Sequence, residues 1–244
     1  MDSVFQRYIF KASRHPIAML PIESELQTAA DPQKAPLFQR FFKTGKGQYG
    51  EGDIFLGLTV PEQRKIAKRY KDLPLEDVET LLRSKFHEHR LTALFILMFQ
   101  YRNDKDKIIK VYLDNLKHVN NWDLVDSSAP GLLGDYLLDK DRELLYKLAR
   151  SDDLWEKRIA VISTFAFIKN NDFDDTLKIS EILLPDKHDL IHKAVGWMLR
   201  EVGKRDQEVE EKFLRRYHKV MPRTMLRYAI EKFDEPKRKE YLKK

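Results

Sequence analysis

Four apolar stretches recur along this chain at nearly constant spacing, and no other feature restricts the fold as tightly. They are Arg90-Leu-Thr-Ala-Leu-Phe, Trp122-Asp-Leu-Val-Asp, Lys157-Arg-Ile-Ala-Val-Ile and Lys193-Ala-Val-Gly-Trp-Met. With Arg90, Trp122, Arg158 and Lys193 as markers, the intervals are 32, 36 and 35 residues, the length of a two-helix repeat. Between the markers lie more polar stretches of helical character, such as residues 104–117 and 172–184. One apolar and one polar helix per repeat predict stacked helical pairs, a curved solenoid whose inner helices line a continuous concave face. The inner helices are expected over residues 90–99, 122–137, 156–168 and 193–202. The competing arrangement is an irregular bundle in which the spacing is coincidental. A solenoid by itself says only that the partner is long, either a protein or a duplex.

Local signals agree with an all-α chain. Most prolines stand where helices should begin or end: Pro32, Pro61, Pro74, Pro185, Pro222 and Pro236. Between them apolar residues recur at three and four, as in Leu75, Val78, Leu81 and Leu82, or Ile108, Ile109, Tyr112 and Leu116. The one short run of β character, residues 54–60, is expected to be a connecting loop. Four glycines (Gly45, Gly47, Gly50, Gly52) crowd into a single loop, residues 43–53. The pattern predicts about a dozen helices of roughly ten to seventeen residues with short connections. The first twenty residues, with Arg7, Lys11 and Arg14 among Phe5, Tyr8, Ile9 and Phe10, resemble no secretory leader. They are expected to be an extension of uncertain role, preceding a single repeat domain over residues 21–244.

Composition narrows the function classes. There is no cysteine, which excludes disulfides, thiolate metal sites and a cysteine nucleophile and agrees with a reducing, cytoplasmic setting. No apolar run is long enough to span a bilayer, so no membrane role is expected. The formal charge is +6, but residues 193–244 alone carry 16 Lys and Arg against 9 Asp and Glu. A basic C-terminal quarter on a near-neutral body points to a polyanion, nucleic acid before membrane surface. The plainer alternative is that exposed helices are simply lysine-rich.

Two tryptophans on the inner helices keep unusual company. Trp122 and Asp126 are four apart and share a helix face; Trp197 shares a face with Lys193 and Arg200. Arg158 occupies the corresponding helix between them. If these helices face a groove, the groove holds two indoles, a carboxylate and three cations. If they do not, both tryptophans are core, where most tryptophans reside.

The stretches Asn121-Trp-Asp-Leu-Val-Asp-Ser, Asp153-Leu-Trp-Glu-Lys-Arg-Ile-Ala-Val and Lys193-Ala-Val-Gly-Trp-Met-Leu-Arg-Glu resemble the inner-helix signatures of AlkD-type DNA alkylation repair glycosylases. Phe55-Leu-Gly-Leu-Thr-Val-Pro-Glu-Gln-Arg and Glu88-His-Arg-Leu-Thr-Ala-Leu are similar to the same family. The resemblance implies a HEAT-like helical-repeat solenoid with a concave DNA-binding face. It also implies hydrolytic removal of cationic N3- or N7-alkylated purines from double-stranded DNA. By position, Trp122, Asp126 and Trp197 match the family's catalytic residues. Arg64, Arg158, Lys193 and Arg200 match positions that hold the DNA backbone. The resemblance implies no metal, no cofactor and no obligate protein partner, and the protein is expected to be a monomer. Two departures stand out: Asn121 occupies a position where relatives often carry an aromatic residue, and the loop 43–53 is longer than usual.

The implied chemistry makes sense of the residue types. A purine alkylated at N3 or N7 is already cationic and departs neutral, so no general acid is needed. What remains is to stabilise the oxocarbenium-like sugar and to place a water, and a carboxylate can do both. Indole faces favour the same developing positive charge.

Other motifs lead nowhere. His87 and His89 are two apart on a helix and diverge by roughly 200°, so one metal ion cannot easily take both. Gly45-Lys-Gly47 lacks P-loop spacing. Asp172, Asp174 and Asp175 lack the glycine and distal glutamate of a calcium loop and read as a helix N-terminus. Two rivals to the glycosylase stay open: a non-catalytic DNA-binding relative favouring branched or distorted duplex, and a protein-binding scaffold.

Overall fold

The computed structural model describes residues 19–243, so the expectation for the first twenty residues falls almost wholly outside the described part. Helices account for all the regular structure among the described residues, and the only β feature is an isolated parallel bridge, Ile54 to Phe86. The run 54–60 is therefore the connecting loop expected, with a single bridge to the start of the helix that follows Phe86.

The described residues open with α1 (Pro21–Thr28), α2 (Ala35–Phe41) and α3 (Val60–Arg69). Both α1 and α3 begin with proline in the first turn and a glutamate that reaches back to the cap, Glu23 accepting the Leu20 N–H at 2.9 Å and Glu62 the Thr59 N–H at 2.7 Å. Helical pairs follow: α4 (Leu75–Leu82) with α5 (His87–Gln100), α6 (Lys105–Asp114) with α7 (Trp122–Ser128), and α8 (Glu143–Ala149) with α9 (Leu154–Ser163) and its continuation α10 (Phe165–Lys169). Next come α11 (Asp174–Leu183) with α12 (Asp189–Arg205), α13 (Gln207–Tyr217) with α14 (Arg223–Ala229), and a terminal α15 (Glu235–Leu242). Helices α5, α7, α9, α12 and α14 pack each on the next, forming one row. Helices α8 and α11 pack on each other and on members of that row. This is the helical-repeat architecture, and α14 adds an inner member that the four sequence markers did not include.

The row is where the core sits. In α5 the residues from His87 to Leu97 are all buried, so the helix shows little amphipathic bias. A helix surrounded on every side by neighbours needs no polar face. Burying each of Leu91, Leu94 and Phe95 contributes about 1.5–3 kcal/mol by transfer from water.

Two inner helices are broken where continuous ones were expected. Residues 122–137 form α7, then a single π turn over Pro130–Gly134, with Gly134 N–H bonded to the Ala129 carbonyl at 2.8 Å. Pro130 has no N–H and its ring crowds the preceding turn, so the ladder widens to the next carbonyl. Residues 156–168 divide at Thr164, whose hydroxyl bonds the Val161 carbonyl at 2.7 Å. Two of the outer helices begin on side-chain caps, α6 with Asp104 accepting the Lys107 N–H and α13 with Asp206 accepting the Val209 N–H. Asp174 and Asp175 do open α11, while Asp172 and Asp175 both bind Arg142 at 2.6 Å.

Close approach within the row depends on small residues. A Cβ on Gly196 would stand 2.4 Å from the Met225 carbonyl and 2.5 Å from the Tyr228 Cβ, so the glycine of the Ala-x-Gly-Trp signature lets α14 lie against α12. Overpacking of this kind costs about 1–3 kcal/mol.

Candidate functional site

The site is built outward from α7. Asn121 caps that helix, accepting the Trp122 N–H on its own side chain at 2.8 Å. The cap places Trp122 in the first turn and Asp126 one turn later on the same face. Asp126 meets Arg158 of α9 in a bidentate pair: Nε to Oδ1 at 2.9 Å and a terminal amine to Oδ2 at 2.8 Å. The other terminal amine of Arg158 donates to the Leu190 carbonyl of α12 at 2.6 Å. One guanidinium thus ties together three helices of the row. Arg158 is buried, but the Asp126 side chain keeps 18% of its surface open to solvent. Burial pushes the Asp126 carboxyl above the usual aspartate range, and the charge and hydrogen bonds of Arg158 oppose that shift.

Trp122 is half-buried in an aromatic wall supplied by α2. Its ring stacks on Phe42 at 5.2 Å and meets the edge of Phe41 at 5.9 Å. Phe42 in turn stacks on Phe55 at 4.9 Å. Phe41 and Leu37, four apart on α2, are 62% and 64% exposed, an apolar ridge beside the indole.

The glycine-rich loop 43–53 closes over this wall. A Cβ on Gly50 would come within 2.4 Å of the Phe42 carbonyl and 3.3 Å of the Asn121 side-chain nitrogen, so glycine permits the loop to reach the α7 cap. Tyr49 follows into the site, its ring edge-on to Trp155 at 5.9 Å. Burial raises the pKa of its phenol, against the pull of the Trp122 indole, Lys193 and Arg158 nearby. Sequence reasoning missed Tyr49, along with Phe41 and Phe42. The extra length of the loop was the available signal.

The remaining residues singled out by sequence lie further along the row. On α12, Lys193 pairs with Asp189 at 2.7 Å, an exposed contact one turn apart. Trp197 is half-buried, near Phe165 at 6.1 Å, and its indole N–H donates to Glu201 at 3.1 Å. Arg200 pairs with Glu231 and with Glu201. Arg64, on α3, is exposed with its guanidinium 4.2 Å above the Phe95 ring, two turns along α5 from the residues that face α7. The structure therefore brings Trp122, Asp126 and Arg158 together with Tyr49. Lys193 is placed at their edge through Tyr49, and Arg64 sits apart. Arg158, expected to hold the DNA backbone, directs its donors to Asp126 and the Leu190 carbonyl.

The two histidines flanking Glu88 go separate ways. Glu88 is buried and accepts the Leu56, Gly57 and Leu58 N–H groups at 2.9, 2.8 and 3.3 Å, holding the loop after 54. His89 bonds the Ser84 hydroxyl at 3.1 Å, and burial lowers its pKa to about 4, leaving it neutral. His87 turns the other way, between Asp53 and Asp123. Among the described residues no group of three or more His, Asp or Glu side chains is disposed to hold a metal ion, and no helix is long and apolar enough to cross a membrane.

A largely buried carboxylate with one part open to solvent, gripped by a buried guanidinium, beside an indole and on the inner row of a helical-repeat fold, defines the class of site. The family model described as DNA alkylation repair enzyme matches residues 22–233, and the chain belongs to that family. Among solved structures it is similar to the "Predicted DNA alkylation repair enzyme from Enterococcus faecalis". That match has a TM-score of 0.69 at 16% identity, over 84% of this chain and 97% of the other. Comparison with curated proteins gave no match.

Proposed function

We propose that this DNA alkylation repair enzyme is a glycosylase that hydrolyses the N-glycosidic bond of cationic N3- or N7-alkylated purines in duplex DNA. The observation that carries the reading is Asp126, a carboxylate held in one orientation by the Arg158 fork yet open to solvent beside Trp122. As the C1′–N bond breaks, its electron pair leaves with the purine, which departs neutral, and positive charge develops on the sugar. A preorganised carboxylate stabilises that charge without reorganising. Asp126 also accepts a hydrogen bond from the water that adds to C1′, whose proton passes to solvent. Trp122, beside Asp126, offers an indole whose quadrupole favours the same cation, and Trp197, further along the row beside Phe165, is the candidate for a second such contact. The family's own description and the basic C-terminal quarter support DNA as the partner. Lys193 and Arg200 are the candidates for phosphate contact. Arg64 is a candidate for a more distant phosphate, and Arg158 serves Asp126 first.

A site of this kind has no acid to protonate a poor leaving group, so it acts on charged lesions. Release of N7-methylguanine and N3-methyladenine from methylated duplex should be rapid, unaffected by a chelator, and far above release of a neutral lesion such as hypoxanthine. Absence of release from every cationic lesion would leave a DNA-binding protein without this activity.

A further inference from the structure

Behind Trp122 lies a second group of charges that the proposed chemistry does not use. The His87 imidazole is 1% exposed, with Nδ1 3.0 Å from an Asp53 oxygen and Nε2 2.8 Å from an Asp123 oxygen. A carboxylate oxygen only accepts, so each ring nitrogen must carry a hydrogen, and a ring with both hydrogens is an imidazolium. The second oxygen of Asp53 takes Arg90 at 2.7 Å. Two anions and two cations then balance in a sealed pocket, as buried charge requires. The ring faces are closed by Phe55, stacked at 4.4 Å, and by Phe42, tilted at 5.0 Å. Phe42 is the same ring on which Trp122 stacks.

The three groups that meet at His87 come from the three parts of the chain that form the site wall. Asp53 ends the loop that carries Tyr49, His87 opens α5, and Asp123 is the second residue of α7, next to Trp122. We propose, resting on the function proposed above, that His87 is a positioning residue: a charged clamp that locks the 43–53 loop against the first turn of α7 and thereby fixes Trp122 and Tyr49 for the reaction. Besides Asp53 and Asp123, the charged groups near the ring are Arg90 and Glu88 of its own helix; α2 and the loop at Phe55 present only aromatic rings to it. Burial opposes the charged ring, but Asp123 and Asp53 outweigh it and raise the pKa. The sign follows: the clamp is complete below the ordinary histidine range and persists above it. It is released only as pH rises through the raised value.

The test uses the full chain and two readouts. Nitrogen NMR of the histidine rings at pH 8 should show one ring protonated at both nitrogens, and that signal should vanish in His87→Gln. The three tryptophans, labelled with fluorine, give three resonances. The one lost in Trp122→Phe should shift or broaden in His87→Gln and, in the wild type alone, as pH is raised. Single-turnover excision by folded His87→Gln should fall about tenfold or more, with duplex affinity within about twofold and without the wild type's alkaline loss. If His87→Gln does not fold, Asp123→Asn keeps the ring in place and should give the same fluorine shift. A neutral His87 ring at pH 7 overturns the clamp. A charged ring with an unmoved Trp122 resonance overturns its positioning role. A wild type that moves Trp122 as expected but releases no base overturns the proposed reaction and leaves the clamp standing.

Discussion

Asp123 and Asp126 stand three residues apart on the same short helix, and each meets a cation from a neighbouring inner helix. Asp123 reaches back to His87 of α5, Asp126 forward to Arg158 of α9. Both contacts pin α7 within the row. They differ in what covers them: Phe42 and Phe55 close the first, while the second is open on the carboxylate side. Two ion pairs on one helix therefore serve different ends. A sealed pair can only hold shape. An open one can exchange part of its solvent shell for a substrate, and its anion is already aimed.

The largest effect should come from neutralising the open carboxylate. Asp126→Asn keeps the shape and removes the charge, and excision should drop on the order of a hundredfold or more. Binding to undamaged duplex should persist or tighten, because one negative charge leaves a phosphate-facing surface. Single-turnover release of N7-methylguanine, with the fold checked by circular dichroism, measures the first, and a binding titration the second. Wild-type and variant rates that coincide would erase the functional difference between the two aspartates.

Next in size is the removal of the cation from the open pair. Arg158→Met leaves Asp126 buried without its partner, and breaking such a pair typically costs about 3–5 kcal/mol of stability. The melting temperature should fall, and excision should fall by at least tenfold, since a charge-assisted contact of about 1.5–3 kcal/mol is lost. The pH profile sharpens the point. The wild-type rate requires the carboxylate, whose pKa burial raises, so activity should be lost as pH falls through a value above the usual aspartate range. Without the guanidinium that opposes the shift, the acid limb should move to still higher pH. A limb that stays put in Arg158→Met would mean another group controls it.

How far these residues could be read from the sequence follows from the range of their contacts. Helical period and the repeat interval are local signals, and they placed the row from α5 to α12 and the i,i+4 pair of Trp122 and Asp126. The interruption at Pro130 is also local, but that proline stands inside an apolar run whose helical pattern continues on both sides and masks the break. Sequence spacing relates His87 only to His89, its near neighbour. Its partners, Asp53 and Asp123, lie 34 and 36 residues away, a pairing that no spacing rule reports. Tyr49 sits in a loop with no period at all. Arg158 was placed on the correct helix, but a helical face does not say whether a guanidinium points to a phosphate or to a carboxylate one repeat earlier.

The indoles should matter less than the aspartate. Trp122→Ala and Trp197→Ala remove contacts worth about 0.5–2 kcal/mol to a developing cation, so each should slow excision by a few-fold to about thirtyfold. Trp122 has Phe42 behind it, and its loss also opens the aromatic wall, which predicts the larger effect of the two. Equal losses in single-turnover assays would show that the wall contributes nothing beyond the indole face.

The smallest effect concerns Lys193, where charge is shared with the solvent. Its ammonium pairs with Asp189 at 2.7 Å, and both side chains are well exposed. Such a pair contributes about 0–1 kcal/mol and is screened by salt, so Lys193→Ala should leave folding nearly unchanged. A phosphate arriving at Lys193 must compete with Asp189. The variant should therefore weaken duplex binding only modestly, uniformly across sequences, with the slope of log affinity against log salt reduced by up to about 0.9. Asp189→Asn provides the opposite sign: it frees the ammonium and removes a repelling charge, so affinity for any duplex should rise. Titrations of both variants at several salt concentrations decide the matter. If Asp189→Asn fails to tighten binding while Lys193→Ala weakens it, Asp189 is not competing with phosphate. If neither changes the salt slope, Lys193 does not touch the backbone, and the DNA path runs elsewhere along the row.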